Sequence, residues 1–332
     1  MKKVVILNDT SSRGHHGCSR VMRVIKGKLK SNGFLITATS FAHTDWQTNT
    51  EFLARAAEAD LIIVNGEGTL HDGRDSASIL LSITEHPLIK GKLALINALW
   101  ENNPKEWNDR LSRFDLISCR DSRSASEIEK GIGRKVDWLP DLSLAENIGK
   151  TGHRCDLIVG DSVRWKARRA LANFANANRT TARVVPTKTL PFKLLQLPFI
   201  GRVALQFLYR VYTGCTDIRV ARFELAKDEN QYLSYLSNAK LHVTGRFHGI
   251  CLSVVTRTPF IAIAANGSKS QRLLHDIGLD PTRLVAPEQL LEIPLSKDFS
   301  PEELRRIEVF LGKAQSDSDA LFASLRQLVE EG

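Results

Sequence analysis

The chain has 332 residues, a formal net charge of +9, 42% hydrophobic and 25% charged residues, an ordinary globular composition whose length suits two domains of about 150 residues each. Its cysteines (Cys18, Cys119, Cys155, Cys215 and Cys251) are scattered and odd in number, which argues for reduced thiols in a cytoplasmic setting and against a disulfide framework or a zinc site. No apolar run reaches the roughly 18 residues a membrane-spanning helix needs.

Lys3–Leu7 (KVVIL) opens the chain as a short buried strand, so no signal peptide is expected. A polar loop, Thr10–Gly17, leads into a helix over Cys18–Lys30. Strand, glycine-bearing loop and helix form the opening of a doubly wound α/β unit, with ligands expected beyond the strands' carboxyl ends. Arg13, His15 and His16 therefore become candidates for a substrate wall. The two adjacent histidines have no recognised acid or cysteine partner, and no metal site is expected.

The alternation continues with a strand at Phe34–Phe41, a helix at Thr50–Glu58 and an apolar strand at Leu61–Val64. That strand runs into Asn65-Gly-Glu-Gly-Thr-Leu-His-Asp-Gly73, a turn whose glycines expose backbone amides and whose Glu67 and Asp72 are acceptor-side candidates. It has neither the spacing of a dinucleotide fingerprint nor the Gly-Lys-Ser/Thr of a P-loop. Helix Ser76–Thr84, strand Lys92–Leu99, helix Lys105–Arg113 and strand Leu116–Cys119 follow. The last strand delivers Arg120-Asp121 to the start of a helix over Ser122–Lys130. Either these two residues pair with each other or cap the helix, or Arg120 clamps a carboxylate or phosphate bidentately. Val136–Leu139 closes the first half.

The expected organisation is an N-terminal domain over 1–146, a linker over 147–154, a C-terminal domain over 155–300 and a C-terminal helix region over 301–332, interrupted near Gln315–Ser318. The second half begins with strand Cys155–Gly160, a basic helix Val163–Asn178 and strand Ala182–Pro186. Between Arg164 and Arg222 twelve Lys and Arg stand against one acid, Asp217. This basic face suits an anionic ligand, anionic lipid head groups or nucleic acid, or is simply solvated. Within it, residues 187–213 crowd leucine and phenylalanine among Lys193, Arg202 and Arg210, the composition either of a patch lying in a lipid interface or of a buried helix with arginines at its rim. Nucleic acid would need aromatic stacking or a reading element among the basic residues, and Trp165 alone, with phenylalanine and leucine that read as packing, is poor support for it.

Strand Asp217–Val220, helix Asp228–Ser237 and strand Lys240–Thr244 lead to Gly245-Arg-Phe-His-Gly249. An arginine and a histidine at a strand's carboxyl edge, feeding a helix N-terminus, make an anion site with a proton-transfer group beside it. After strand Phe260–Ala264, Ser268 and Lys269 repeat the loop-to-helix device.

Taken with the Thr-Pro-Phe-Ile-Ala-Ile strand and the helix ending at Leu279, Gly245-Arg-Phe-His-Gly249 resembles the closing signature of the polysaccharide pyruvyl transferase family, with Phe247 where that family usually has leucine. Asn65-Gly-Glu-Gly-Thr-Leu resembles its glycine-rich turn, Ser118-Cys-Arg-Asp121 its strand-end Arg-Asp, and Leu139-Pro-Asp-Leu142 its Asp-Pro landmark in inverted order. The family's N-terminal Asn-x-Gly-Asp loop is not recognisable in Asn8–Gly17. The resemblance implies an α/β protein of two Rossmann-like domains facing a cleft, a fold like that of GT-B glycosyltransferases, with mostly parallel sheets. It implies transfer of a pyruvyl group from phosphoenolpyruvate, the donor substrate, to two hydroxyls of a saccharide acceptor that could be lipid-linked, forming a cyclic ketal and releasing phosphate. His248 would be catalytic, with Arg120, Arg246, Phe247, Gly249, Ser268 and Lys269 at the donor and Arg13, His15 and His16 on the acceptor side. Phe247 would pack beneath the corner or meet the sugar. No cofactor, metal, nucleic-acid or protein partner is expected, and the location would be cytoplasmic, with the 187–213 segment touching the inner face of the membrane. The alternative is a glycosyltransferase of the same fold using a nucleotide-activated sugar.

Overall fold

The structure, a computed structural model, describes residues 1–148, 156–188, 204, 207, 211, 222–264 and 268–331. It divides into two units: Met1–Ser12 with Val21–Ala145 and Gly312–Gly332, and Arg13–Arg20 with Glu146–Leu311. This differs from the linear division expected from the sequence in two places. The loop and helix start at 13–20 group with the second half, and the last residues group with the first.

The first unit is built on a six-stranded sheet of β1 (Lys2–Asp9), β2 (Phe34–Phe41), β3 (Leu61–Asn65), β4 (Lys92–Ala98), β5 (Leu116–Cys119) and β6 (Asp137–Trp138), in the order β2-β1-β3-β4-β5-β6. Every neighbouring pair is parallel. The central strands are apolar throughout because both faces are covered. Val5, Leu7, Ile62, Val64 and Leu95 point into one core, while Val4, Ile6, Leu61, Ile63 and Ile96 point into the other. The intervening helices are α1 (His16–Ser31), α2 (Thr50–Ala57), α3 (Asp75–Leu81), α4 (Asn108–Ser112) and α5 (Ser122–Ile132). Local chemistry sets their ends. Asn49 caps α2 by accepting from the Phe52 amide, and α5 stops at Gly133, which takes the left-handed conformation that costs glycine no Cβ strain. The helix expected over Lys105–Arg113 starts as a tight 3-10 turn, Lys105–Trp107, before α4.

The second unit carries β7 (Asp156–Ser162), α6 (Trp165–Ala177), β8 (Ala182–Val184), α7 (Glu229–Ser237), β9 (Ala239–Gly245), α8 (Phe247–Val255), β10 (Phe260–Ile263), α9 (Lys269–Ile277) and β11 (Leu284–Val285). Its sheet is parallel, in the order β11-β10-β9-β7-β8, so β7 and β9 lie at the centre. The strand expected at 217–220 and most of the 187–213 segment lie outside the described residues.

The C-terminal helix α10 (Pro301–Glu330) is continuous for 30 residues, and the break expected near Gln315–Ser318 is absent. The Ser316 and Ser318 hydroxyls donate to the carbonyls of Lys313 and Gln315, and Lys313 pairs with Asp317 one turn on, so the polar stretch is satisfied within the helix. Leu321, Phe322, Leu325 and Val329 join the first unit's core on the side of α1. Among the described residues, no helix is long and apolar enough to cross a membrane.

Candidate functional site

In the second unit, the two central strands end side by side, β7 at Gly160-Asp161-Ser162 and β9 at Thr244-Gly245. Arg246 follows as the residue before α8 and carries an extended backbone, with φ −114° and ψ 135°. Its Nε and Nη2 both donate to Asp161 Oδ2, at 2.9 and 2.6 Å, and both side chains are buried. The other Asp161 oxygen accepts from the Thr187 amide at 2.9 Å, and the Thr187 hydroxyl lies 2.9 Å from the Tyr232 hydroxyl. The arginine is thus aimed by a carboxylate that is itself locked on two sides. Close packing at the strand ends uses glycine: a Cβ at Gly245 would strike Ser162, and one at Gly249 would strike Thr244. Their missing side chains let α8 and β7 close against β9.

His248 sits in the first turn of α8, 7% exposed, with the ring of Phe247 edge-on at 5.4 Å. Phe247 is half-buried, which matches packing at the corner's edge. The residues expected on an acceptor wall of the first domain arrive here. The His15 ring lies 5.2 Å from that of His248, inclined at 66°. A Cβ at Gly17 would collide with the His248 Cβ and Cγ, so only glycine allows the start of α1 to lie so close. The His16 amide donates to the Thr187 carbonyl at 3.1 Å, and its ring stacks on Tyr232 at 4.9 Å. Arg20, one turn further, forms a buried 2.6 Å ion pair with Glu229. These bonds hold residues 13–20 against the second unit. Arg13 belongs to the same segment and is half-buried.

Burial dominates the electrostatics. It holds the His15 pKa well below its ordinary value, with the neighbouring His248 and Arg246 pushing the same way. It lowers His16 to about 4 against the opposing pull of Asp161, Asp228 and Glu229. The Tyr232 phenol is pushed up, so it stays protonated. His242, wholly inside β9, is lowered to about 3 by burial while its Nδ1 lies 2.7 Å from the Ser253 hydroxyl. The corner therefore holds an arginine paired with an aspartate, with His15 and His16 kept neutral at pH 7 by burial.

Cys18 also belongs here. One donor atom each from His15, Cys18 and His248 lie within 4.8 Å of one another, and all three residues are buried. The expectation that the paired histidines lack a cysteine partner is overturned: Cys18 is three residues beyond His15, on the first turn of the helix that carries the segment into the corner. Asp161, Thr187 and Tyr232 were not singled out from sequence either. An acid closing the first apolar strand of the second half was the available signal for Asp161; nothing local marked the other two.

The remaining candidates are distributed elsewhere. Ser268 and Lys269 open α9 after the neighbouring strand β10, and the Ser268 hydroxyl accepts from Arg272 Nε at 2.6 Å. In the first unit, Arg120 follows β5 and reaches Asp141 at 3.3 Å, both buried. Asp121 caps α5 by accepting from the Ser124 amide at 2.8 Å, so the cap is real, and Arg120 also has an ion-pair partner outside the dipeptide in Asp141. Glu67 is buried and accepts from the Thr10 hydroxyl at 2.6 Å. Asp72 is exposed at a positive φ of 58° and bonds His71 Nδ1 at 2.7 Å, which with Asn102 lowers its pKa.

Two parallel-sheet α/β units define the Rossmann-like, GT-B-like class. Among solved structures, the chain is similar to a Listeria monocytogenes protein assigned as a UDP-N-acetylglucosamine 2-epimerase (12% identity, covering 100% of this chain and 98% of that one, TM-score 0.56). It is similar also to the UDP-GlcNAc 2-epimerase of Neisseria meningitidis (11% identity, 98% and 99% covered, TM-score 0.54) and to an α,α-trehalose 6-phosphate synthase of Burkholderia multivorans (12% identity, 99% and 97% covered, TM-score 0.51). At these identities the likeness is one of fold. No curated protein matches the chain significantly. The polysaccharide pyruvyl transferase family pattern matches residues 6–267, and the chain belongs to that family.

Proposed function

We propose that this protein transfers the pyruvyl group of phosphoenolpyruvate to two hydroxyls of one saccharide, within a cell-surface polysaccharide or its lipid-linked precursor, on the cytoplasmic side. The observation that carries the reading is the Arg246–Phe247–His248 turn, with its arginine aimed by Asp161, in a member of this family. The donor presents a carboxylate and a phosphate, and a guanidinium held in one plane suits bidentate recognition of either. The uncapped N-terminus of α8 adds backbone amides of favourable polarity at the same edge.

The reaction then needs proton movements. A proton is added to the donor's methylene carbon, leaving the central carbon electrophilic. A sugar hydroxyl adds there, the carbon–oxygen bond to phosphate breaks, and the second hydroxyl closes the ring. Two hydroxyl protons are lost, one appearing in the new methyl group and one on the released phosphate, so the steps balance. His248 is assigned the proton transfer, because it stands two residues from the anion-binding arginine and imidazole exchanges protons near neutrality.

The test is phosphate release from phosphoenolpyruvate with saccharide acceptor, alongside thermal shifts with phosphoenolpyruvate and with a nucleotide sugar. Stabilisation by phosphoenolpyruvate and acceptor-dependent release support the reading. Stabilisation by the nucleotide sugar alone would replace it with the glycosyltransferase alternative.

A further inference from the structure

We propose that His15, Cys18 and His248 form a binding site for a thiophilic divalent cation of the zinc class. Two imidazoles and one thiolate are a ligand set that selects zinc over magnesium or calcium, and three protein ligands leave a fourth position for water. Tetrahedral zinc with bonds of about 2.0–2.3 Å spaces its donors by roughly 3.3–3.7 Å. The three donor atoms here already lie within 4.8 Å, a gap that side-chain rotation of about 1 Å closes.

The placement is enforced by the fold. His15 and Cys18 are separated by three residues across the start of α1, which puts them on one side of its first turn. The His15 carbonyl accepts from the Ser19 amide at 2.9 Å, and His15 bridges Lys188 in the backbone, which holds this turn in place. Gly17 between them carries no side chain at a position where a Cβ would strike His248. A second observation points to a ligand: His15 is only 8% exposed, yet its Nδ1 finds no hydrogen-bond partner among the described residues. A buried imidazole nitrogen in that state is costly unless something binds it. The nearby Arg246 does not stand as a bare positive charge against a cation, because Asp161 pairs with it.

Metal on His248 would draw electron density from the imidazole that proton transfer is assigned to and would fix its ring, so occupancy would lower transfer. That consequence rests on the function proposed above; the site itself does not.

The experiment is titration of the chelator-treated full chain with cobalt(II), which substitutes for zinc and reports thiolate ligation as a near-ultraviolet charge-transfer band. One equivalent producing that band, lost in Cys18→Ser and kept in Cys251→Ser, is the expected result. No band in the native chain, or a band surviving Cys18→Ser, overturns the site. Should Cys18→Ser fail to fold by circular dichroism, His15→Gln decides: cobalt affinity must fall by more than about tenfold, and unchanged affinity overturns the proposal. None of these readouts requires turnover, so failure of the pyruvyl-transfer reading would show separately.

Discussion

Each unit carries an arginine just past a sheet strand and pairs it with a buried aspartate, Arg120 with Asp141 and Arg246 with Asp161. The surroundings differ. In the first unit, the chain just past β1 and β3 is tied by amides, a hydroxyl and a carboxylate, with Asn8 donating to the Asn65 carbonyl at 2.6 Å and Thr10 to Glu67 at the same distance. Around Arg246 stand His15, His16 and His248, Tyr232 and a thiol. On the function proposed above, proton transfer is assigned to the second setting. The same kind of ion pair thus stands in two different surroundings.

The largest expected effect separates the two directly. His248→Gln should lower phosphate release by at least about a hundredfold with an unchanged melting curve; wild-type turnover would remove the histidine from the chemistry. Its counterpart is the pair of alanine variants Arg246→Ala and Arg120→Ala, titrated with phosphoenolpyruvate by calorimetry. Weakened binding is expected for Arg246→Ala, and an unchanged isotherm would take that arginine out of the donor site.

Next come the aspartates. Breaking a buried pair leaves an uncompensated charge and costs about 3–5 kcal/mol, so Asp161→Asn and Asp141→Asn should each lower stability toward denaturant by that order. Only the former should also raise the donor KM with the acceptor held saturating. Equal kinetic effects would erase the distinction between the two corners.

A pH effect should belong to the second unit. Folding lowers His242 to about 3 from an unfolded value of 6.5, so the unfolded chain binds more protons between these values. Stability is therefore full above about pH 6.5 and is lost as pH falls, by about 2 kcal/mol at pH 5 for this one group. Tyr232, whose ring lies 6.5 Å away, stays protonated throughout that range. Urea melts of His242→Gln should show a flatter pH dependence than the native chain; parallel curves would exclude His242 as the cause. The smallest effect is Gly17→Ala, an overpacking substitution expected to cost about 1–3 kcal/mol and to reduce turnover by displacing His248. Full activity with unchanged stability would mean that the segment yields more readily than its packing indicates.

Much of the architecture was legible because it is local. Phe34–Phe41 and Leu116–Cys119 match their observed strands residue for residue, the first as an edge strand rich in β-branched and aromatic residues, the second as a short apolar run before a polar turn. The missed end of Lys105–Arg113 and the unbroken α10 are boundary effects, where a first turn tightens or serines bond within the helix.

The arginine–histidine corner was legible too, because Arg246 and His248 lie two residues apart at a strand-to-helix turn. Its partners were not. Asp161 is 85 residues from Arg246, and no local pattern links them. Residues 13–20 read naturally as part of the first domain, but the Arg20–Glu229 ion pair, His16 against Tyr232 and Gly17 against His248 place them with the second unit.

By itself, then, the sequence determined most of the described strands and helices and the arginine–histidine turn, because backbone propensity and hydrophobic periodicity act over a few residues. Tertiary structure alone decided that Asp161 aims the arginine and that His15 and Cys18 join His248. Those choices depend on which strand ends become neighbours and where a missing Cβ lets two elements touch, and neither is encoded within any one stretch of chain.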